Sequence, residues 1–153
     1  MTERQKLIIE RKIKWGKYRD SNVSRFDWQS KCEELIEETC VWWNKKIREV
    51  LGDREESCVD SFLIVYNGYE LACKTYYKKT LGIDMRMDEI EWVLSLYAET
   101  KEKSDIMTKI RRWRNSLAHG QLVGYPPDWI LQKARDYYLY YYTLNGVYDY
   151  FFN

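Results

Sequence analysis

Apolar residues recur along this chain at three- and four-residue steps, the period of a helix that turns one face inward. No segment sustains the alternation of a strand. Thr2 before Glu3 reads as the cap of a first helix that buries Leu7, Ile9 and Ile13 and presents Arg4, Lys6, Arg11, Lys12 and Lys14. The stretch from Gly16 to Asn22 reads as a loop. A long second helix is predicted over about Ser24 to Leu51, with Cys32, Leu35, Ile36, Trp43, Ile47 and Val50 at helical spacing and Gly52-Asp53 as its stop. A third, roughly Glu55 to Thr80, turns Val59, Phe62, Leu63, Tyr66 and Cys73 inward and ends at Gly82. A shorter fourth, Asp88 to Ala98, carries Ile90, Trp92, Val93, Leu94 and Leu96.

Ser104 resembles an N-cap for a fifth helix, with Asp105 in its favourable first turn and Ile106, Ile110, Trp113 and Leu117 as its buried stripe. Pro126-Pro127-Asp128 opens a last helix through about Tyr150. The class that follows is all-α: one domain over residues 1–153, a bundle of five to six helices.

Composition changes this picture little. The length suits one well-buried core. Basic and acidic residues nearly cancel, 25 against 24, so no global field draws the chain to nucleic acid, and any such contact rests on a local patch. Cys32, Cys40, Cys58 and Cys73 form no C-x-x-C pair and read as small buried hydrophobes in a reducing compartment. Glu33, Glu34, Glu37 and Glu38 read as a solvated helix face rather than a metal site. The absence of a long apolar run, or of an apolar signal core at the N-terminus, gives the expectation of a cytoplasmic protein with no membrane partner. The aromatics of the last helix, Tyr137, Tyr138, Tyr140, Tyr141, Tyr142, Tyr148, Tyr150, Phe151 and Phe152, go all the way around its axis. They predict a core on one side and a protein interface on the other.

Candidate chemistry gathers at one place. The chain's single histidine closes Arg114-Asn115-Ser116-Leu117-Ala118-His119, ahead of Gly120. Histidine moves protons near neutral pH, and arginine holds a phosphate and its developing charge, so the pair supplies what a metal-free ribonuclease needs. Met107, Ile110 and Arg114 follow one another at three- and four-residue steps, which puts Arg114 at the edge of the buried stripe. His119 lies about 140° around a continuing helix from Arg114 at roughly 100° per residue. Two arrangements bring them together. Either Gly120 adopts the left-handed conformation and frees His119 to turn, or two chains share the site. Lys109, Arg111 and Arg112, with Lys101 and Lys103, make the approach locally basic, as a phosphate track or as an ordinary solvated face interleaved with Glu99, Glu102 and Asp105. His119 also fits a helix C-cap, and Arg114 an ion pair with a nearby carboxylate.

The six residues R-N-x-x-x-H near the end of a helix, in a small all-helical chain, resemble the HEPN domain family, whose members carry an R-x4-6-H motif. The resemblance implies a homodimer whose two motifs line one cleft, and a metal-independent endoribonuclease of the kind found in toxin–antitoxin and antiviral defence systems. It implies an RNA substrate, no cofactor, and an antitoxin or defence-complex partner. His119 would act as general base on the 2′-hydroxyl, Arg114 would stabilise the phosphorane-like charge, and Asn115 would orient the His or the phosphate. HEPN toxins paired with nucleotidyltransferase antitoxins carry Tyr two residues after the His. Here Gly120 and Gln121 follow, and the next Tyr is Tyr125, which puts silencing by that route in doubt. Some HEPN domains keep the fold and act only as binding or assembly modules, which is the alternative reading.

Overall fold

The computed structural model describes residues 1–51, 59–120 and 126–153. They form six helices: α1 (Glu3–Asn22), α2 (Arg25–Leu51), α3 (Val59–Leu81), α4 (Met87–Ser95), α5 (Lys101–Ala118) and α6 (Asp128–Phe152), with no strand among the described residues. The all-α bundle expected from the spacing is the observed fold. The expectations for Cys58, Gly52-Asp53, Gln121, Tyr125, the side chain of Val50 and the start of the third helix lie outside the described residues.

Local chemistry explains most boundaries. Thr2 caps α1 reciprocally: its hydroxyl accepts from the Gln5 N–H at 3.1 Å, and the Gln5 amide accepts from the Thr2 N–H at 3.0 Å. The Ser24 hydroxyl accepts from the Asp27 N–H at the head of α2. Gly82 takes φ +70° just past α3, and its N–H bonds back to the Lys78 carbonyl.

Five expectations are corrected. The stretch 16–22 is the last part of α1, not a loop. Gly16 costs a helix interior only about 1 kcal/mol, and the aromatic packing of Trp15 on Tyr148 and Phe152 outweighs it. The inward stripe of α1 is Ile8, Lys12, Trp15 and Arg19, while Leu7 and Ile13 are exposed and Ile9 half-buried. On α2, Thr39 rather than Ile36 faces inward, and its hydroxyl accepts from the Thr143 hydroxyl across to α6. α4 stops at Ser95, leaving Leu96 exposed, and α5 begins one turn before Ser104. Ser104 is buried inside α5, donating to the Glu91 carbonyl at 2.6 Å, so its role is to tie α5 to α4.

α6 is the central element, packed against α2, α3 and α5. This explains aromatics on every side of it. Trp42 of α2 stacks on Tyr142 (4.3 Å between centroids), and Trp43 meets Tyr138 edge-on (4.7 Å). On the α3 side, the Tyr77 and Tyr141 hydroxyls bond at 2.9 Å. Trp15 of α1 covers Tyr148 and Phe152. The ring of aromatics is thus largely consumed within the chain, and does not itself point to a protein interface as expected, although Tyr140, Tyr142 and Tyr150 remain exposed.

At Gly68 α3 lies so near α6 that an added Cβ would overlap the edge of the Tyr138 ring. Alanine in place of a helix-interior glycine ordinarily stabilises by about 1 kcal/mol. Here Gly68→Ala is expected to destabilise by about 1–2 kcal/mol, because Tyr138 must leave Trp43. Urea unfolding checks the sign.

Candidate active site

α5 carries the motif and is anchored before it reaches it. Glu91 of α4, 4% exposed, accepts two bonds from the Arg111 guanidinium (2.7 and 3.0 Å) and one from the Thr108 hydroxyl (2.7 Å). Met107 and Ile110 are fully buried beside them. The rest of α5 is therefore held rigidly up to its last turn.

That last turn presents Arg114 half-buried, its guanidinium 5.6 Å from the centre of the Tyr66 ring on α3. One of its nitrogens donates to the Asn115 side-chain oxygen at 3.3 Å. No carboxylate pairs with Arg114 among the described residues; the nearby Glu70 pairs with Lys74 at 3.5 Å instead. Burial raises the Tyr66 phenol above its usual range, so this hydroxyl stays neutral beside the guanidinium. The ion-pair alternative for Arg114 thus finds no partner among the described residues, and toward these its donors remain available to an anion.

His119 is the C-cap of α5, and its imidazole is exposed. Its backbone N–H still bonds to the Asn115 carbonyl at 3.0 Å, with φ −97° and ψ 6°. Gly120 takes φ +65°, as the sequence suggests, but the turn falls after the histidine rather than before it. His119 therefore stays on the winding of the helix, about 140° around from Arg114. Within one chain the structure does not fold the imidazole back over the guanidinium. The capping role of His119 is carried by main-chain atoms, and its imidazole makes no hydrogen bond among the described residues.

The basic residues before the motif separate into three kinds. Arg112 and Lys109 are exposed, and the Lys109 ammonium lies 5.7 Å over the Trp129 ring. Arg111 is committed to Glu91. Lys103 is drawn away from any phosphate track into a nest of tyrosines on α6. Nothing in the local sequence marks Arg111 as different from Arg112, because its carboxylate partner lies on another helix.

The remaining candidates are quickly placed. Glu33, Glu34, Glu37 and Glu38 are exposed along α2, and no cluster able to hold a metal ion occurs among the described residues. Cys73 is fully buried, whereas Cys32 and Cys40 are half-buried; all three are free thiols. Burial pushes the Cys73 and Cys32 thiols up, which disfavours the reactive thiolate. No helix is long and apolar enough to cross a membrane among the described residues.

No protein family model matches the chain, and no solved structure matches it. Among curated proteins, it is similar to a protein named class I diterpene synthase 2, chloroplastic, from Vitex agnus-castus, at 25% identity over 124 residues. That similarity covers 76% of this chain, which spans only about a fifth (21%) of the length of that protein.

Proposed function

We propose that this chain is a HEPN-like, metal-independent endoribonuclease whose site is completed by a second copy. The observation that carries the reading is Arg114 itself: half-buried, on an aromatic face, with no carboxylate paired to it among the described residues, and five residues before an exposed histidine at a helix end. A sheltered arginine with free donors is suited to a phosphate, because the lower local dielectric strengthens each charge-assisted bond. Since the two side chains leave α5 on different sides, a two-fold pairing of α5 termini is what brings Arg114 of one copy near His119 of the partner subunit.

In that cleft His119 removes the proton from a ribose 2′-hydroxyl, and the oxygen attacks the adjacent phosphorus. Arg114 neutralises the charge gathering on the non-bridging oxygens, and Asn115, which already holds the guanidinium, fixes its direction. The P–O5′ bond breaks, and the leaving oxygen takes a proton from His119 of the partner subunit. The products are a 2′,3′-cyclic phosphate and a 5′-hydroxyl end. Arg112 and Lys109 are the exposed cations left to steer the strand. Such activity suits a toxin or antiphage effector of the cytoplasm, under the control of an antitoxin or a larger complex. The alternative, a non-catalytic HEPN-like binding module, is favoured by the separation of Arg114 and His119 within one chain.

A cleaved RNA oligonucleotide and its twin with a single 2′-deoxy residue at the cut position distinguish the readings. The proposal expects cleavage of the first at that position and none of the second. Equal cutting of both would point to hydrolysis by water, and no cutting of either to the binding module.

A further inference from the structure

Away from the motif, α1, α3, α5 and α6 enclose a cavity of about 280 Å³ into which Lys12, Arg19 and Lys103 all face, with no carboxylate in its lining. Its other polar side chains include the hydroxyl-bearing Tyr76, Tyr140 and Thr100 and the indole of Trp15. We propose that this cavity is a binding site for a small organic anion, a phosphate or carboxylate group attached to a short aromatic or apolar body.

Three observations carry this. The first is Lys103. Its ammonium sits 3.7 Å from the centre of the Tyr140 ring and 4.4 Å from that of Tyr141, and makes no hydrogen bond or ion pair among the described residues. A lysine taken out of water ordinarily acquires a carboxylate. Here burial, with Lys12 nearby, holds it down to about 8, a charge poised for an anion that would restore it. The second is that the cations disfavour one another. Lys12 is likewise held below its usual range by burial and by Arg19. Its ammonium lies over the Tyr97 ring, while Arg19 pairs with the exposed Asp20 at 3.3 Å and lies 5.7 Å over the Trp28 ring. An anion at the centre would relieve all three.

The third observation is Gly16. It lines the cavity from the interior of α1, where glycine weakens a helix, and a Cβ added there would meet open space. That residue keeps the cavity open. The volume corresponds to roughly nine waters at about 30 Å³ each, enough for a phosphate or carboxylate and one ring. Lys103 and Tyr140 also line a neighbouring cavity of about 550 Å³ whose walls carry Glu99, Glu102 and Asp136. The anionic group therefore belongs in the first cavity, on the side free of carboxylates.

Titration of the wild-type protein with phenyl phosphate, inorganic phosphate, benzoate and neutral phenol, at constant ionic strength, tests the site by calorimetry and by tryptophan fluorescence, since Trp15 lines it. Saturable binding of phenyl phosphate and benzoate, tighter than that of phenol, is expected. Lys103→Met should weaken both by at least about tenfold while raising the melting temperature, because an unpaired buried charge is removed. Gly16→Leu should weaken phenyl phosphate more than inorganic phosphate. Lys12→Met, the second cation variant, should weaken the anions as well. Absence of saturable anion binding by the wild type would overturn the proposal. So would equal binding by Lys103→Met, or a Lys103→Met protein that is less stable and no weaker a binder, the mark of a purely structural cation–π contact.

Discussion

Replacing His119 with Ala is expected to lower RNA cleavage by about 10²–10⁴-fold, the usual contribution of a general acid–base group, with little change in stability. The reason lies in how α5 ends. The cap at His119 is made by its main-chain N–H to the Asn115 carbonyl, and the imidazole is exposed and bonded to nothing described. Alanine keeps the cap and removes only the imidazole, the proposed proton carrier. Arg114→Ala should lose about 10²–10³-fold, in line with removal of a transition-state charge stabiliser. Arg114→Lys should recover only part of this, because an ammonium does not match a phosphate fork. Initial rates on a fluorescent RNA, with melting curves for each variant, check both. A His119→Ala protein that melts normally and cuts at the wild-type rate would remove the histidine from the chemistry.

The largest expected effect on stability is at Glu91. Glu91→Ala leaves the Arg111 guanidinium without its carboxylate at the α4–α5 contact, while the Thr108 hydroxyl keeps the Ser104 carbonyl at 3.0 Å as acceptor. Breaking a buried pair from one side costs about 3–5 kcal/mol. The lower end applies, because the Arg111 side chain keeps 28% of its surface in water. A loss of about 3 kcal/mol corresponds to a melting temperature lower by roughly 6–12 °C for a chain of this size. The double variant Glu91→Met with Arg111→Met should recover most of it, since no unpaired charge remains. Thermal unfolding followed by circular dichroism measures both. A single variant within about 0.5 kcal/mol of wild type would show that the pair is an ordinary surface bridge.

The long amphipathic segments were legible because their own residues set them. The spacing on α2 and α3, the Thr2 cap and the glycines at 82 and 120 are local signals. What could not be read were features decided by distant partners. Gly16 reads as a break until Trp15 is seen packed against the end of α6. Ser104 has the chemistry of a cap, but its hydroxyl serves Glu91, thirteen residues earlier. Lys12 and Lys103 read as solvent-facing charges because a lysine gives no sequence sign that tyrosines will surround its ammonium. The all-round aromatic pattern of α6 was visible, but only the bundle shows that three helices cover it. For the motif, the sequence supplied Arg114, Asn115 and His119. The structure added that Arg114 pairs with no carboxylate among the described residues and that the helix turns only after His119.

The central claim is that Arg114 and His119 cut RNA through the 2′-hydroxyl without a metal. Its most direct test is incubation of the wild-type protein with total RNA in excess chelator, followed by chemical mapping of the new ends. The expected ends are 2′,3′-cyclic phosphate and 5′-hydroxyl, absent with His119→Ala. Ends bearing 5′-phosphate, or cleavage that chelator abolishes, would contradict it.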